Sequence, residues 1–434
     1  MTLRNRELAY LLFVAVVTGI GFASVYIAGQ DVISTGSLSY GIFFLAVFLA
    51  AHLVVRFTVP QADPYVLPMA GLLAAVGVIE IYRLDPGDAF RQGIWIVVAV
   101  SLLAATLVAL RRDYRRLERY KYVVGIAAIA LLALPALPGI GTSINGARLW
   151  VRVGSFQFQP GELAKILLIV FLAAYLRDKR EVLAQGRLKD LGPLLLIWGA
   201  AMLVLVETKD IGSALLYFGI FLAMLYVATA RLLYVGVGLA LFTAGASVAY
   251  RLLAHVESRV TIWREPWTDS AVYCAQNGKL VPRQDCASYQ LVKSLYSIAN
   301  GQFGGTGLGS GTFVGTTGEP LIPDLKTDFI YSALAQELGL VGASALLLVY
   351  MLFTLRGFRI ALLAEDGFSK LLAAGLTFGF ALQTFIIVGG ILRLIPLTGL
   401  TFPFVSYGGS SVVANFVLLA GLLLVSDRAN TRRL

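Results

Sequence analysis

Charge is scarce in this chain, and so are cysteine and histidine. Only 14% of its 434 residues are Asp, Glu, Lys or Arg, against roughly 25% in soluble domains. That excludes an ordinary water-soluble fold. The two histidines, His52 and His255, stand far apart, and the two cysteines, Cys274 and Cys286, have no histidine at ligand spacing, which excludes a structural zinc site. The glycine-rich stretch 301–318 is not closed by Gly-Lys-Ser/Thr and no strand–helix nucleotide unit follows it, so it is neither a P-loop nor a Rossmann turn. The first apolar run lacks a small-residue cleavage signal and further runs follow, so it reads as a retained helix rather than a signal peptide.

What the chain does have is hydrocarbon: 58% hydrophobic residues and a mean hydropathy of +0.80. Crossing a bilayer takes about 20 apolar residues per helix. Twelve runs qualify, near 8–28, 39–55, 65–80, 92–110, 122–138, 161–176, 191–206, 211–229, 232–250, 329–355, 371–393 and 404–426. The expected fold is an all-α polytopic membrane protein with about twelve transmembrane helices and one large extracellular loop. The net charge of +10 invites a nucleic-acid reading, but its distribution argues for topology. With both termini cytoplasmic, the inner segments hold 21 of the 35 Lys and Arg. The short outer loops hold only Arg83, Arg91, Arg148, Arg152 and Lys209. This is the positive-inside asymmetry, so membrane lipid is the expected partner and nucleic acid is not.

The largest non-spanning piece, 251–328, faces outward on this topology. It contains both cysteines, either joined as Cys274–Cys286 in an oxidising exterior or left as two free thiols, an amphipathic stretch 289–299, and the glycine-rich run. A loop of this length is functional or disordered, and its aromatic content favours function. Two further outer segments, 139–160 and 394–411, mix Gly, Pro and hydroxyls at membrane depth, where irregular backbone needs protein or a wet cavity to satisfy it.

Several residues there can carry chemistry. Asp328 is expected in the first turn of the span beginning at Phe329, capped by Thr327 or Asp324. Its bland reading is an acid that relieves the helix dipole. Its sharp reading is a general base at the lipid–water boundary, where burial raises the carboxyl's pKa. Glu162 and Lys165 share one helix face after Pro160, either as a self-satisfied ion pair or as groups that orient and meet a diphosphate. Arg148 and Arg152 flank Trp150, as headgroup contacts or as phosphate ligands. Asp210, at the break between two spans, reads as a helix-start acid. Glu337 lies inside a span and requires a partner or a proton. The glycine run can aim N–H groups at an anion, and a tightly turning segment is the plainer reading.

Taken together, these segments resemble the SEDS family of polytopic peptidoglycan glycosyltransferases, the group of RodA, FtsW and SpoVE. The resemblance rests on Asn145-Gly-Ala-Arg-Leu-Trp150, Gln159-Pro-Gly-Glu-Leu-Ala-Lys165, Thr208-Lys-Asp-Ile-Gly-Ser213, Lys326-Thr-Asp-Phe329 through Glu337-Leu-Gly339, and Pro396-Leu-Thr-Gly399 with Pro403-Phe-Val-Ser-Tyr-Gly-Gly-Ser-Ser411. It implies a ten-helix core plus two N-terminal helices, as in RodA-like proteins of actinobacterial type. The implied division is 1–64 for the additional helices, 65–250 for the first part of the core, 251–328 for the extracellular loop and 329–434 for the last helices.

The implied activity is glycan polymerisation from lipid II in cell elongation and shape. The growing glycan passes from undecaprenyl diphosphate to the 4-hydroxyl of an incoming lipid II. Asp328 matches the family's catalytic Asp. Arg148, Trp150, Glu162, Lys165, Asp210, Lys326, Ser406 and Tyr407 fall on its substrate-binding motifs. The implied partner is a class B penicillin-binding protein that supplies the transpeptidase. The implied location is the bacterial plasma membrane, with the catalytic side outward. No cofactor is fixed: a divalent cation, Mg or Mn, bridging carboxylate and diphosphate is compatible with the chemistry, but the sequence has no dedicated metal box. Where the family usually has Ser, Pro and His, this chain has Gly161, Lys209 and Lys326, and the last is expected to hold Asp328 in its ionised form. The rival readings are a transporter of lipid-linked precursor and a non-catalytic synthase scaffold. A transporter predicts charges spread through the membrane midplane, whereas these cluster toward the outer side.

Overall fold

In hydrocarbon every backbone polar group must be satisfied within the protein, which leaves long apolar runs one solution, the helix. The computed structural model describes residues 2–30, 35–144, 147–154, 156–185, 192–269, 271–274, 279–315 and 320–431. Its helices are α1 (Leu3–Gln30), α2 (Thr35–Thr58), α3 (Val66–Leu84), α4 (Pro86–Leu110), the single turn α5 (Arg116–Arg119), α6 (Lys121–Ala133), α7 (Pro160–Ala184), α8 (Gly192–Glu207), α9 (Ile211–Thr229), α10 (Leu232–Leu252), α11 (Ala254–Arg264), α12 (Tyr289–Asn300), α13 (Ile330–Leu363), α14 (Gly367–Ile391) and α15 (Gly409–Thr431). Among the described residues nine are long and apolar enough to cross a membrane: α1–α4, α9, α10 and α13–α15. The shorter apolar helices α6 and α8 and the 25-residue α7, whose ends are charged, complete the expected twelve. Helix starts follow local chemistry. Asp85 caps α4 by accepting from Gly87 and Asp88 N–H, with Pro86 at the first position, and Asp366 caps α14 through Ser369 N–H.

Helices α14 and α15 are the most enclosed spans and α10 is the most peripheral. Along α10 Leu232, Leu233, Val237, Leu239 and Leu241 are exposed, as expected of a helix that meets lipid on most of its circumference. One end of the bundle is tied by charged and amide contacts. Arg4 bonds Glu7 and the Ala62 carbonyl. Arg356 reaches Asp63 at 2.6 Å, Asp427 accepts from Gln61 N–H, and Asn430 donates to the Gln61 carbonyl. A cavity of about 440 Å³ lined by Thr2, Arg4, Arg56 and Gln61 opens at this end. None of the candidate site residues lines it.

The opposite end carries the irregular segments. Three strands, β1 (Gly141–Ile144), β2 (Ala147–Val153) and β3 (Phe156–Phe158), form an antiparallel sheet in that order, an element the helical reading did not anticipate. In the large loop, β4 (Ala271–Cys274) pairs with β5 (Lys279–Pro282). The amphipathic stretch forms α12, which packs on α13 through Ser294 and Ser332 hydroxyls 2.6 Å apart.

The glycine-rich run threads into a break in α13. Gly339 adopts φ 67° and ψ −172°, which interrupts the helix, and the loop repairs the loss. Thr306 and Gly307 N–H donate to the Gln336 and Glu337 carbonyls at 3.0 Å each, while Leu340 N–H donates to the Gln302 carbonyl at 3.0 Å. Only a residue without Cβ fits that conformation against the backbone of Gly304 and Gly305. The same run rests on α1: a β-carbon at Gly309 would stand 2.7 Å from Ala28 Cβ and 3.2 Å from Val25 Cα.

Candidate functional site

Asp328 is not in a helical first turn. Helix α13 begins at Ile330, its cap position is Phe329, and no side chain caps it. Asp328 closes a turn instead: Thr327 and Asp328 N–H both donate to the Asp324 carbonyl, at 3.1 and 3.0 Å. The carboxylate therefore does not cap the helix. Burial dominates and pushes it up to about 7, Asp324 adds to the rise, and Thr327 and Arg259 oppose it. The residue as a whole is only partly buried.

Lys326 does not stabilise the ionised form of Asp328, contrary to expectation. Its ammonium bonds Asp88 and lies 3.3 Å from Asp85, at the start of α4, and it sits over the Tyr407 ring. Those two carboxylates draw it away from its sequence neighbour. The turn that bears Asp328 is further held by the loop between α14 and α15. Ser406, itself buried, donates to the Thr327 carbonyl and accepts from Phe402 N–H at 2.9 Å. Tyr407 N–H donates to the Lys326 carbonyl at 2.9 Å. Gln92 of α4 clasps the same loop, donating to the Ser406 carbonyl and accepting from Gly408 N–H at 3.2 Å each.

Glu162 and Lys165 form a buried pair, 2.9 Å apart. Lys165 also donates to Gln383 Oε1 at 2.6 Å. Gln383 Nε2 donates to the Thr401 carbonyl, and the Thr401 hydroxyl donates to Glu162 Oε1 at 3.2 Å. This closed ring joins α7, α14 and the 394–408 loop, so it positions that loop as well as carrying charge. Asp210 caps α9 through Ser213 N–H at 2.9 Å. Its burial raises its pKa, a nearby Glu162 adds to the rise, and Arg259 opposes it.

Arg259, on α11, is the residue that sequence reading missed. Its Nη1 donates to the Leu397 and Thr398 carbonyls at 3.1 and 2.9 Å, and its charge acts on both Asp210 and Asp328. Helix α11 is fastened by reciprocal bonds: Trp263 Nε1 to the Arg393 carbonyl and Arg393 Nε to the Trp263 carbonyl, both 3.0 Å. Gly399 follows, with φ +72°, and a β-carbon there would stand 3.4 Å from Asp328 Oδ2. Arg259 sits in a polar loop with no periodicity to mark it. Gln383 is missed by the sequence reading too, although a lone amide in an apolar span is a signal that could have found it.

Arg148 and Trp150 lie on β2. Arg148 Nη2 donates to the Leu137 carbonyl at 3.1 Å, and the Trp150 carbonyl accepts from the Thr142 hydroxyl. Among the described residues no hydrogen bond or ion pair joins either to the Asp328 cluster. Asn145 and Gly146, the Cys274 side chain and 316–318 of the glycine run lie outside the described residues. Cys286 is disulfide-bonded.

Glu337 finds the partners that sequence could not name. It accepts from Gly309 N–H at 2.8 Å and Gly311 N–H at 3.1 Å, and Arg83 Nε stands 3.4 Å away. The anion at which the glycine run aims its donors is thus the chain's own carboxylate. No three His, Cys, Asp or Glu side chains gather as a metal cage among the described residues, and Asp85 and Asp88 already share the Lys326 ammonium. A protein-held divalent ion does not fit this donor set.

Comparison with known proteins meets this geometry from the other side. Residues 65–431 match the family model for FtsW, RodA and SpoVE, described as cell cycle proteins; the match begins just before α3 and leaves out α1 and α2. The chain is 42% identical to the peptidoglycan glycosyltransferase RodA of Mycobacterium tuberculosis, covering 99% of this chain and 91% of that one. The Mycobacterium leprae protein of the same name is 40% identical at the same coverage. Among solved structures, a chain from "Structural coordination of polymerization and crosslinking by a peptidoglycan synthase complex" superposes with TM-score 0.67 at 27% identity, covering 85% of this chain and 98% of that one. The rod shape determining protein RodA of Thermus thermophilus gives 0.60 at 27% identity, covering 84% and 96%. A match across all but the first 64 and last three residues, with near-full-length relatives at this identity, fixes the assignment: the chain belongs to the FtsW/RodA/SpoVE family.

Proposed function

We propose that this protein is a peptidoglycan glycosyltransferase that polymerises lipid II, with Asp328 as the general base. The observation that carries the reading is the Asp328 carboxyl, raised by burial to about 7 and lying against Gly399. A base with that affinity is about half ionised at neutral pH and still draws a proton effectively. It takes the proton of the acceptor's 4-hydroxyl as that oxygen bonds to the anomeric carbon of the growing glycan. The bond from that carbon to undecaprenyl diphosphate breaks in the same step. Water and lipid meet at this end of the bundle, which suits a sugar nucleophile on a lipid anchor.

Asp210, Glu162 and Lys165 form the charged floor of the site. Lys326, Ser406 and Tyr407 hold the turn that presents Asp328. Arg148 and Trp150, on the sheet at the same end, meet the substrate further out. No step is routed through a metal ion. The site end faces the exterior, both termini face the cytoplasm, and Cys286 pairs with Cys274, the only other cysteine of the chain. Helices α1 and α2, within 1–64, are additions to a core comprising 65–250 and 329–434, with 251–328 as its extracellular loop. The partner is a class B penicillin-binding protein that crosslinks the strand, and the role is elongation.

The test is lipid II polymerisation by purified protein with its partner, comparing wild type with Asp328→Ala and checking both by size-exclusion chromatography. Glycan strands are expected only from the wild type. Polymer of equal yield from a folded Asp328→Ala protein overturns the assignment, and a transporter or scaffold reading then takes its place.

A further inference from the structure

We propose that Arg259 binds the diphosphate of the lipid-linked donor, so that leaving group and base share the loop 397–399 as a common wall. The inference rests on the glycosyltransferase reading and adds a ligand to it. A departing diphosphate brings concentrated negative charge to the site; Arg148 lies on β2 and bonds the Leu137 carbonyl, apart from the Asp328 cluster, and the two lysines that sequence assigned to the site are spent. Lys165 is buried between Glu162 and Gln383. Lys326 is held by Asp85 and Asp88.

Arg259 differs from both. It is only half-buried, and among the described residues no carboxylate lies within ion-pair distance of it and neither Nε nor Nη2 makes a hydrogen bond. Its Nη1 is fixed by two carbonyls, and α11 is fastened to the same loop through Trp263 and Arg393. The guanidinium is therefore oriented without being neutralised, with Asp210 and Asp328 within electrostatic reach. A planar fork held this way suits a phosphate oxygen pair.

The step balances. The acceptor hydroxyl gives its proton to Asp328, its oxygen bonds to the anomeric carbon, and the broken bond's electron pair stays on the diphosphate oxygen, whose charge Arg259 meets. Donor binding also acts on the base. Asp328 is faced by Asp324 and Thr327 from its own turn and by Arg259 from α11, while Lys326 is engaged elsewhere. Arg259 pulls the carboxyl toward ionisation, and a bound diphosphate cancels that pull. The base thus gains proton affinity when the donor is in place.

The experiment uses full-length Arg259→Gln, Arg259→Lys and Asp328→Asn proteins. It measures lipid II polymerisation from pH 5.5 to 9, inhibition by undecaprenyl diphosphate and by uncharged undecaprenol, and direct binding of undecaprenyl diphosphate. Arg259→Gln is expected to raise KM for lipid II and the diphosphate inhibition constant by about tenfold or more, leaving undecaprenol inhibition unchanged. Arg259→Lys restores part of the affinity. The acid limb of kcat/KM moves to higher pH in Arg259→Gln, because removal of the cation lets the Asp328 carboxyl rise. A variant that lowers kcat while diphosphate affinity and the acid limb stay put assigns Arg259 to loop support and overturns the proposal. If Arg259→Gln does not fold, unchanged diphosphate binding by Arg259→Lys, which loses the fork, does the same. Failure of the underlying reading has another signature: Asp328→Asn remains fully active. In that case diphosphate binding with and without Arg259→Gln still decides the role of Arg259.

Discussion

Replacing Asp328 by Asn removes the proposed base, and the same burial that tunes the base predicts that the variant is more stable. In the folded chain the carboxyl titrates near 7 rather than at its ordinary 3.8. Between those values the folded state holds a proton that the unfolded chain has released. The group's contribution to stability is therefore best below about pH 4, falls as pH rises through the window from about 4 to 7, and stays at its minimum above it. A separation of about three pH units, at 1.36 kcal/mol each, makes the full penalty about 4 kcal/mol. The residue as a whole is only partly buried, which lowers it to about 2–4 kcal/mol. Asparagine is neutral throughout and escapes the penalty. Asp328→Asn should thus raise the thermal unfolding midpoint at pH 8, with less than half of that gain left at pH 5, while abolishing polymerisation. Thermal unfolding in detergent at the two pH values, beside a lipid II assay, reads both. Wild-type kcat/KM should fall on its acid side with a midpoint near pH 7. A stability gain that is equal at both pH values, or an acid limb near pH 4, refutes the account of a carboxyl raised by burial.

Three other outcomes follow from the same geometry. Glu337→Ala strands the Gly309 and Gly311 N–H groups and leaves Arg83 without its carboxylate; a loss of about 3–5 kcal/mol should appear as a lowered midpoint and faster proteolysis within 302–315. Gly399→Ala forces a β-carbon into a left-handed conformation beside Asp328 Oδ2, at about 1–2 kcal/mol, so kcat should drop while expression is kept. Non-reducing peptide mapping should recover Cys274 linked to Cys286, and Cys286→Ser should loosen the β4–β5 hairpin by at most about 3 kcal/mol without stopping polymerisation.

Much of the architecture was legible because hydrophobicity over 20 residues is a strong, local signal. The run 211–229 coincides with α9, and 371–393 falls on α14, which begins four residues earlier and ends two earlier. What failed were features set by local backbone closure or by partners distant in sequence. Asp328 looked like a helix-start acid because nothing local reveals that its turn closes on Asp324 and that α13 starts two residues later. Lys326 looked like a neighbour of Asp328, but Asp85 and Asp88, some 240 positions away, claim it. The glycine run has a tightly turning segment as its plainer reading and a row of anion donors as the other; the structure combines the two, and the acceptor, Glu337, is reached only by threading the chain back into a broken helix. Arg259 gave no signal, since one Arg in a polar loop is indistinguishable from its solvated neighbours until α11 docks on residues 393–398.

The seat of Gly309 on Ala28 and Val25 changes what the first two helices are for. Lying outside the family match, they look dispensable, yet the first of them supplies the floor beneath the strand of glycines that locks Glu337. A chain begun at residue 35 would leave that strand without the Val25 and Ala28 surface on which Gly309 rests. Engineering that trims this protein to its shared core must therefore rebuild a small, flat helix surface there, or the broken span behind it loses its splint.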